Sequence, residues 1–461
     1  MSKKKITVSD SMGSVEIPAD ALYQAQTQRA LDNFKISALR LPDAIIHALA
    51  SIKKACAETN FELKKLDQPR QQAIQMAADS IISGQYSDQF TVDVFQTGSG
   101  TSSNMNVNEV IATLASNDGL SVHPNDHVNM GQSSNDVFPS AIHIAAARSI
   151  HEQLLPAVQT LEAALIERMQ QHQQTIKTGR THLMDAMPVS LGQEISAWAS
   201  QLKNDRYRIQ TTLTRLQQLA IGGTAVGTGV NTSPDFGQRV CDKLQAESGI
   251  RFMPMENLFE GLSAQNTTLE LSGQLRVLAT SLTKISNDLR WMNSGPLTGL
   301  GEIQLEALQP GSSIMPAKVN PVIPEAVLMV AAQVIGNDTT ISLAAQSGNF
   351  QLNVMLPVIA YNLLQSIEIL SSANLHLARV IDTFVVNSDA MAQNLAFNPM
   401  LVTALNPVIG YQQAAEVAKT ALLQKRPILE VALEMTNISE ARLKDLLNPT
   451  NLVQNHPENT N

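Results

Sequence analysis

Apolar residues recur with a helical period through the middle of this chain. Along one stretch they are spaced alternately by four and three positions, at Leu271, Leu275, Leu278, Leu282, Ile285, Leu289 and Met292. This is the spacing at which helices meet in a bundle. Two further stretches, 150–169 and 191–220, are spaced in a similar way. The pattern predicts several long amphipathic helices that pack side by side.

Between residues 326 and 367 the only charged residue is Asp338. A helical segment that lacks charge on every face is not typical of a monomer's surface, because one face of a surface helix meets water. The segment is either the core of a very large domain or a subunit interface. We favour the interface, so this segment predicts an oligomer.

The flanking regions have less regular patterns. Short strand-like pieces occur around Ile6 to Val8 and Gly13 to Ile17, and shorter helical segments follow the bundle. We expect an N-terminal domain at 1–134 that carries binding loops, a central helix bundle at 135–389 and a small helical C-terminal domain at 390–461. The predicted fold class is all-α, with a long-helix bundle between two smaller, mainly helical domains.

Composition and charge narrow the possible partners. The chain has 461 residues, of which 44% are hydrophobic and only 4% aromatic, and this favours packed aliphatic helices in more than one domain. The net charge of −9 disfavours nucleic acid and anionic membrane surfaces. No stretch of about 18 apolar residues indicates a membrane span. The basic N-terminal run lacks the apolar segment of a signal peptide.

Two cysteines, Cys56 and Cys241, are present. They are too few for a disulfide framework, and their spacing is not that of a zinc or iron–sulfur site. We therefore expect no metal, no cofactor and a reduced, cytoplasmic setting.

The segment Gly311 to Pro321, GSSIMPAKVNP, carries the most chemistry. Its glycine and prolines predict a loop, and Asn320 with Pro321 predicts the N-cap and first residue of a helix. Backbone N–H groups at a helix N-terminus attract anions, and Lys318 adds a positive charge. A tight surface turn would have the same composition. A phosphate-binding P-loop is excluded, because Val319 stands where the Ser or Thr that binds Mg²⁺ belongs.

Three other runs have similar chemistry. They are TGSGTSSNMNVN at 97–108, HPNDHVNMGQSSND at 123–136 and GRTHLMD at 179–185. Each offers hydroxyls, amides, cations or a helix start. Together they suit a small ligand with more than one carboxylate.

These motifs, with IPADALYQAQTQRA at 17–30 and GGTAVGTG at 222–229, resemble the class II fumarate hydratases of the aspartase/fumarase superfamily. The similarity extends from about residue 17 to about residue 424. It implies a homotetramer with a shared helical core, in which each active site takes loops from three subunits. The implied reaction is the reversible hydration of fumarate to L-malate in the tricarboxylic acid cycle, without metal or cofactor.

The resemblance also implies the site residues. Ser312 as an oxyanion would take the proton from carbon, and His182, held charged by Glu325, would assist departure of the hydroxyl group. The substrate-binding residues would be Ser99, Gly100, Thr101, Ser133, Ser134, Asn135, Thr181, Ser313, Lys318, Val319 and Asn320. A second, non-catalytic dicarboxylate site would be formed by His123, Pro124, Asn125 and Asp126.

Two alternatives remain open at the level of sequence. Aspartate ammonia-lyases share the superfamily and the signature loop, although they more often show QSTND and GATAIGTG where this chain has QSSND and GGTAVGTG. A non-enzymatic helical scaffold is the second alternative, and the presence of Ser312, Lys318, His182 and Glu325 argues against it. The chain departs from its relatives at Met184 and His127, outside the matched catalytic positions.

Overall fold

A computed structural model describes residues 4–453 of the chain. The chain divides into two compact units, one formed by Met1–Pro156, Asp205–Ala279 and Val330–Ser372, the other by Ala157–Asn204, Thr280–Met329 and Ala373–Asn461. The three predicted domains, with boundaries near residues 134 and 389, stay a prediction.

Helices dominate both units. They are α1 Ala25–Asn33, α2 Asp43–Glu62, α3 Gln68–Ile82, α4 Thr101–Ala115, α5 Ser134–Ser149, α6 Leu155–Gln171, α7 Leu191–Leu216, α8 Phe236–Ser248, α9 Leu258–Ser263, α10 Asn266–Met292, α11 Val322–Ala345, α12 Leu356–Thr383, α13 Ser388–Ala396, α14 Asn406–Gln424, α15 Ile428–Met435, α16 Glu440–Leu446 and α17 Pro449–Val453. The predicted all-α fold class is confirmed.

Strands are short, and within residues 4–453 each sheet has two of them. They are β1 Lys5–Asp10, β2 Gly13–Pro18, β3 Ile176–Thr181, β4 Met184–Ser190, β5 Gln218–Leu219, β6 Met253–Pro254, β7 Ile303–Gln304, β8 Gly348–Asn349, β9 Leu352–Asn353 and β10 Val385–Val386. The pairs β1–β2, β3–β4, β7–β10 and β8–β9 are antiparallel, and β5–β6 is parallel. The two N-terminal strand-like pieces therefore form one hairpin.

The apolar stripes predicted from the sequence are buried. All seven stripe positions of α10 are buried. The stripe positions of α7 are buried too, and they are Leu191, Ile195, Trp198, Leu202, Ile209, Leu213 and Leu216. In the first unit, α2 packs against α3, α5 and α8. In the second unit, α13 to α16 surround a small apolar core that includes Leu405, Val417, Val431 and Leu443.

Helix α11 carries the first part of the charge-poor segment, 326–345, and α12 carries its end, 356–367. The one charged residue of that segment, Asp338, is buried and accepts hydrogen bonds from Ser272 Oγ at 2.7 Å and Arg276 Nη1 at 2.8 Å, both on α10. Among the described helices, α11 alone is long and apolar enough to cross a membrane, so the expectation of no such stretch is corrected. This criterion uses only length and composition. A core helix of a large helical protein also meets it.

Candidate active site

The GRTH motif lies at the end of the β3–β4 hairpin. Arg180 pairs with Asp185 and Thr181 with Met184, which leaves His182 and Leu183 as a two-residue turn. Their φ angles are 58° and 60°. Hairpin turns with two positive φ angles favour asparagine and glycine. A histidine in this conformation is an unfavourable local choice, and such outliers cluster at functional sites. Thr181 and His182 are both exposed.

A buried chain of alternating charges holds this hairpin. Glu302 is 0% exposed, and its Oε1 accepts a 2.7 Å hydrogen bond from Arg180 Nη1. Lys177 Nζ lies 2.8 Å from Glu302 Oε2, in ion-pair but not hydrogen-bond geometry, and donates to Glu194 at 2.6 Å. A β-bulge at Gly179 brings Lys177 and Arg180 to one face, since residues three apart otherwise point to opposite faces.

This arrangement limits the role that Arg180 can have in attracting a ligand. Its positive charge is compensated by Glu302, so it is not free to attract a dianionic ligand. Lys318 is exposed, and no ion pair or side-chain hydrogen bond joins it to another described residue. Of the two cations in the GRTH motif and the signature loop, Lys318 alone has an uncompensated charge.

The signature loop is closed on itself. Gly311 N donates to Lys318 O at 2.8 Å, and Asn320 Nδ2 donates to Gly311 O at 2.8 Å. Asn320 was expected to cap the following helix. Its side chain instead closes the loop, and α11 begins at Val322. The Gly311 carbonyl lies within reach of the Asn320 amide nitrogen, and this bond holds the side chain in the loop. An N-cap would instead use the amide oxygen to accept from a helix N–H group.

Ser312 forms a local turn in which its hydroxyl oxygen accepts two hydrogen bonds. Its Oγ accepts from the backbone N–H groups of Ile314 at 3.2 Å and Met315 at 3.1 Å. Two donors aimed at one oxygen favour its negatively charged form. Ser313 and Val319 are exposed on the same loop, and Glu325 is half-buried in the first turn of α11. Across the described residues, no hydrogen bond or ion pair joins His182 to Glu325 or to Ser312.

The remaining predicted substrate-binding residues lie in the other unit, at the starts of α4 and α5. Gly100 precedes α4 in a left-handed conformation, with φ of 76°. Ser99 Oγ and Thr101 Oγ1 are 2.8 Å apart. Asn104 Nδ2 donates to Ser134 Oγ at 2.8 Å. The Ser134 hydroxyl proton is therefore left to donate to a ligand.

Ser133 and Asp136 form a capping box on α5. Ser133 Oγ accepts from Asn135 N, and Ser133 N donates to Asp136 Oδ1 at 2.9 Å. The other carboxylate oxygen of Asp136 accepts from Gly222 N at 3.0 Å and Thr224 N at 2.9 Å. Burial raises the pKa of Asp136 to about 6, although these backbone donors oppose the rise.

Asp136 thus ties the Ser133–Asn135 segment to the glycine-rich loop at 222–229. Asn135 Nδ2 strengthens the link with a 2.8 Å bond to Ala225 O. Asp136 is the last residue of the polar run at 123–136, and its role was missed at the level of sequence. The signal was available in the spacing from Ser133 to an acidic residue at the third helical position.

The predicted second site forms a separate π-helical turn, Pro124–Val128. His123 Nδ1 accepts from Asp126 N at 3.2 Å, and His127 Nδ1 accepts from His123 N at 2.8 Å. Burial lowers the pKa of His127. Asn125 and Asp126 are exposed, and Pro124 is buried. The first unit therefore holds both this turn and the 99–101 and 133–135 segments, and the second holds 181–182 and 312–325.

No group of three or more His, Cys, Asp or Glu side chains within residues 4–453 is arranged to hold a metal ion. Cys56 and Cys241 are buried free thiols, and burial raises the pKa of both. The predicted active-site residues carry hydroxyls, amides, one lysine, one histidine and one carboxylate.

Comparison with known proteins supplies the family. A family model described as lyase matches residues 13–336, and a model described as fumarase C C-terminus matches residues 401–454. Fumarate hydratase class II 2 of Pseudomonas aeruginosa is 55% identical over 445 residues, covering 96% of this chain and 97% of the relative. Fumarate hydratase class II of Xylella fastidiosa strain 9a5c is 54% identical over 96% of this chain and 94% of the relative.

The fold agrees with that of a solved relative. The crystal structure of recombinant class II fumarase from Schistosoma mansoni has a TM-score of 0.95 and 38% sequence identity, covering 98% of this chain and all of the other. Sequence and fold together lead to one conclusion: the chain belongs to the class II fumarate hydratase family of lyases.

Proposed function

We propose that this protein catalyses the reversible hydration of fumarate to L-malate. The observation that carries the proposal is the environment of Ser312, whose Oγ accepts two backbone N–H bonds in a loop beside the N-terminus of α11. A serine becomes a useful base only when its neighbours favour the oxyanion. The proposed reaction requires such a base, because malate loses a proton from carbon.

The reaction develops negative charge on the substrate in addition to transferring a proton. Removing a proton next to a carboxylate places negative charge on that carboxylate as an aci-carboxylate. Preorganised donors must stabilise this charge. Ser133 and Ser134 suit this task, because each hydroxyl oxygen already accepts from the protein and its proton is left to donate outward. Lys318 adds the uncompensated positive charge.

His182 is assigned to the departing oxygen, on the face opposite Ser312, so that addition and elimination are anti. Its place at a two-residue turn supports this role, because His182 is exposed at the tip of the hairpin. Glu325 is the carboxylate that would hold the imidazole charged. Neither step uses a metal or cofactor.

We infer that the protein works as a homotetramer. Helix α11 and the hairpin β8–β9 expose apolar side chains on the charge-poor segment, with Met329 68% and Phe350 94% exposed. Burying such side chains on a partner subunit is favourable at about 25 cal/mol per Å². The exposure of His182 and Lys318 fits an active site completed by residues from three subunits. The partners are thus a dicarboxylate and other copies of this chain.

The setting follows from the reaction. Fumarate and malate are intermediates of the tricarboxylic acid cycle, and we propose that the protein acts in the cytoplasm without a nucleic acid or membrane partner.

The turn His123–Asp126 is proposed as a second dicarboxylate site without a catalytic role. No feature of the structure favours the ammonia-lyase alternative, and the relatives described above are named fumarate hydratases.

Proton NMR of the reaction in D₂O tests the proposal. Fumarate should give L-malate with one deuterium at C3, placed anti to the new hydroxyl group. Malate with deuterium in the syn position would contradict opposed roles for Ser312 and His182. Absence of malate with purified tetramer would contradict the function itself.

A further inference from the structure

Lys53, on α2, is the most deeply buried cation of the first unit. Its exposure is 0%, yet no carboxylate within residues 4–453 lies at ion-pair distance from its Nζ. It donates instead to two neutral amide oxygens, Asn129 Oδ1 and Gln132 Oε1, both at 2.9 Å. A buried charge without a counter-ion destabilises a fold, and an apolar side chain of similar size often fits such a position with equal or greater stability.

The two acceptors lie in a functionally important stretch. Asn129 follows the π-helical turn of the second site, and Gln132 immediately precedes the cap residue Ser133. Gln132 Nε2 also donates to Val128 O at 3.0 Å. Lys53 therefore holds the chain at two points just before the proposed carboxylate-binding residues.

Asn129 extends this contact to α4. Its Oδ1 also lies 3.4 Å from Asn104 Nδ2 and 3.2 Å from Asn108 Nδ2. The same Asn104 amide group donates to Ser134 Oγ at 2.8 Å. An uninterrupted path of hydrogen bonds thus runs from Lys53 through Asn129 and Asn104 to the Ser134 hydroxyl.

This path matters because of the direction of each bond. Asn104 can donate to Ser134 only while its amide is turned with nitrogen toward the serine, and Asn129 Oδ1 accepts from that same nitrogen. Asn129 Oδ1 faces Asn104 because Lys53 and Asn108 also donate to it. If the amide reversed, the Ser134 proton would turn inward and the ligand would lose a donor.

We propose that Lys53 is a positioning residue of the dicarboxylate site: its buried amino group holds residues 129–132 and, through Asn129 and Asn104, directs the Ser134 hydroxyl toward a substrate carboxylate. The proposal rests on the function proposed above for Ser134. Lys53 itself touches no substrate.

Lys53→Met tests the proposal, because methionine fills a similar volume and cannot donate. Lys54→Met is the matched control, since the adjacent lysine pairs with Asp79 and Glu247 away from this path. Lys53→Met should raise KM for fumarate about tenfold, equivalent to about 1.4 kcal/mol. Its kcat should fall as well, because the Ser134 hydroxyl also donates to the charge that develops on the carboxylate in the transition state. Lys54→Met should leave both constants unchanged.

Hydrogen exchange followed by mass spectrometry gives a readout independent of turnover. Amides of residues 129–135 should exchange faster in Lys53→Met than in the wild type or Lys54→Met, with the rest of α4 and α5 unchanged. Unchanged exchange there would overturn the proposal, whatever the kinetics. If wild-type protein does not convert fumarate, the proposed function fails, and the exchange measurement still decides the role of Lys53.

Two substitutions of Asn129 keep the test decisive if Lys53→Met does not fold. Asn129→Leu removes the acceptor and should reproduce both the faster exchange and the higher KM. Asn129→Asp retains an acceptor for Lys53 and Asn104, so its KM should stay within about threefold of wild type. A tenfold rise in KM for Asn129→Asp with wild-type hydrogen exchange would overturn the proposal. It would show that Lys53 contributes through its positive charge and not by positioning residues 129–135.

Discussion

Replacing Glu302 by glutamine tests how the His182 hairpin is held. The substitution preserves shape but removes the negative charge shared by Lys177 and Arg180. Breaking a buried ion pair by removing one partner costs about 3–5 kcal/mol. We expect the lower end, about 3 kcal/mol, because Lys177 keeps its bond to Glu194 and Arg180 is only half-buried. The hairpin that carries His182 should loosen, so kcat should fall with stability.

Urea denaturation at equal subunit concentration, followed by far-ultraviolet circular dichroism, measures the first effect, and steady-state kinetics measures the second. Glu440→Gln is the control, because Glu440 pairs with Lys444 on an exposed helix face, where ion pairs contribute little. The control should leave the midpoint and kcat unchanged. A Glu302→Gln variant with wild-type midpoint and kcat would refute the idea that the charge chain positions His182.

Three further outcomes are expected. Ser312→Ala should lower kcat by about 10²- to 10⁴-fold with little change in KM, and retention of more than about a tenth of kcat would move the base elsewhere. Mixing inactive Ser312→Ala and His182→Asn chains should restore partial activity, whereas an active monomer by light scattering would contradict shared sites. Burial lowers the folded-state pKa of Lys53 to about 7 from 10.5, so folding releases its proton between these values. The unfolding free energy of wild type, relative to Lys53→Met, should therefore rise with pH from about 7 toward 10; a flat difference would contradict the lowered pKa of Lys53.

The long helices could be predicted because their periodicity is local. An apolar stripe such as that at 271–292 predicts that one face of the helix is buried, and its apolar residues are buried in the structure. The two N-terminal strand pieces were found for the same reason. The β3–β4 hairpin was missed, because its turn uses His182 and Leu183 where hairpin turns favour asparagine and glycine.

The site was predictable only in part. Its loops were visible as clusters of hydroxyls, amides and glycines, and the family resemblance assigned their roles. The supporting charges were not visible, since Glu302 lies 122 positions from Arg180 and Lys53 lies 76 positions from Asn129. Isolated Lys and Glu residues in a sequence predict solvent-exposed faces. Only the fold brings them together inside the protein.

Offering L-malate and L-aspartate separately to the purified enzyme, with fumarate followed by its ultraviolet absorbance, tests the central claim most directly. Both substrates present two carboxylates, so the binding residues proposed above, Lys318 and the Ser133–Asn135 segment, would serve either one. They differ at C2, where a charged His182 can donate to malate's hydroxyl group but repels aspartate's ammonium. The account predicts fumarate from malate and none above background from aspartate. Comparable kcat/KM for the two substrates would contradict it.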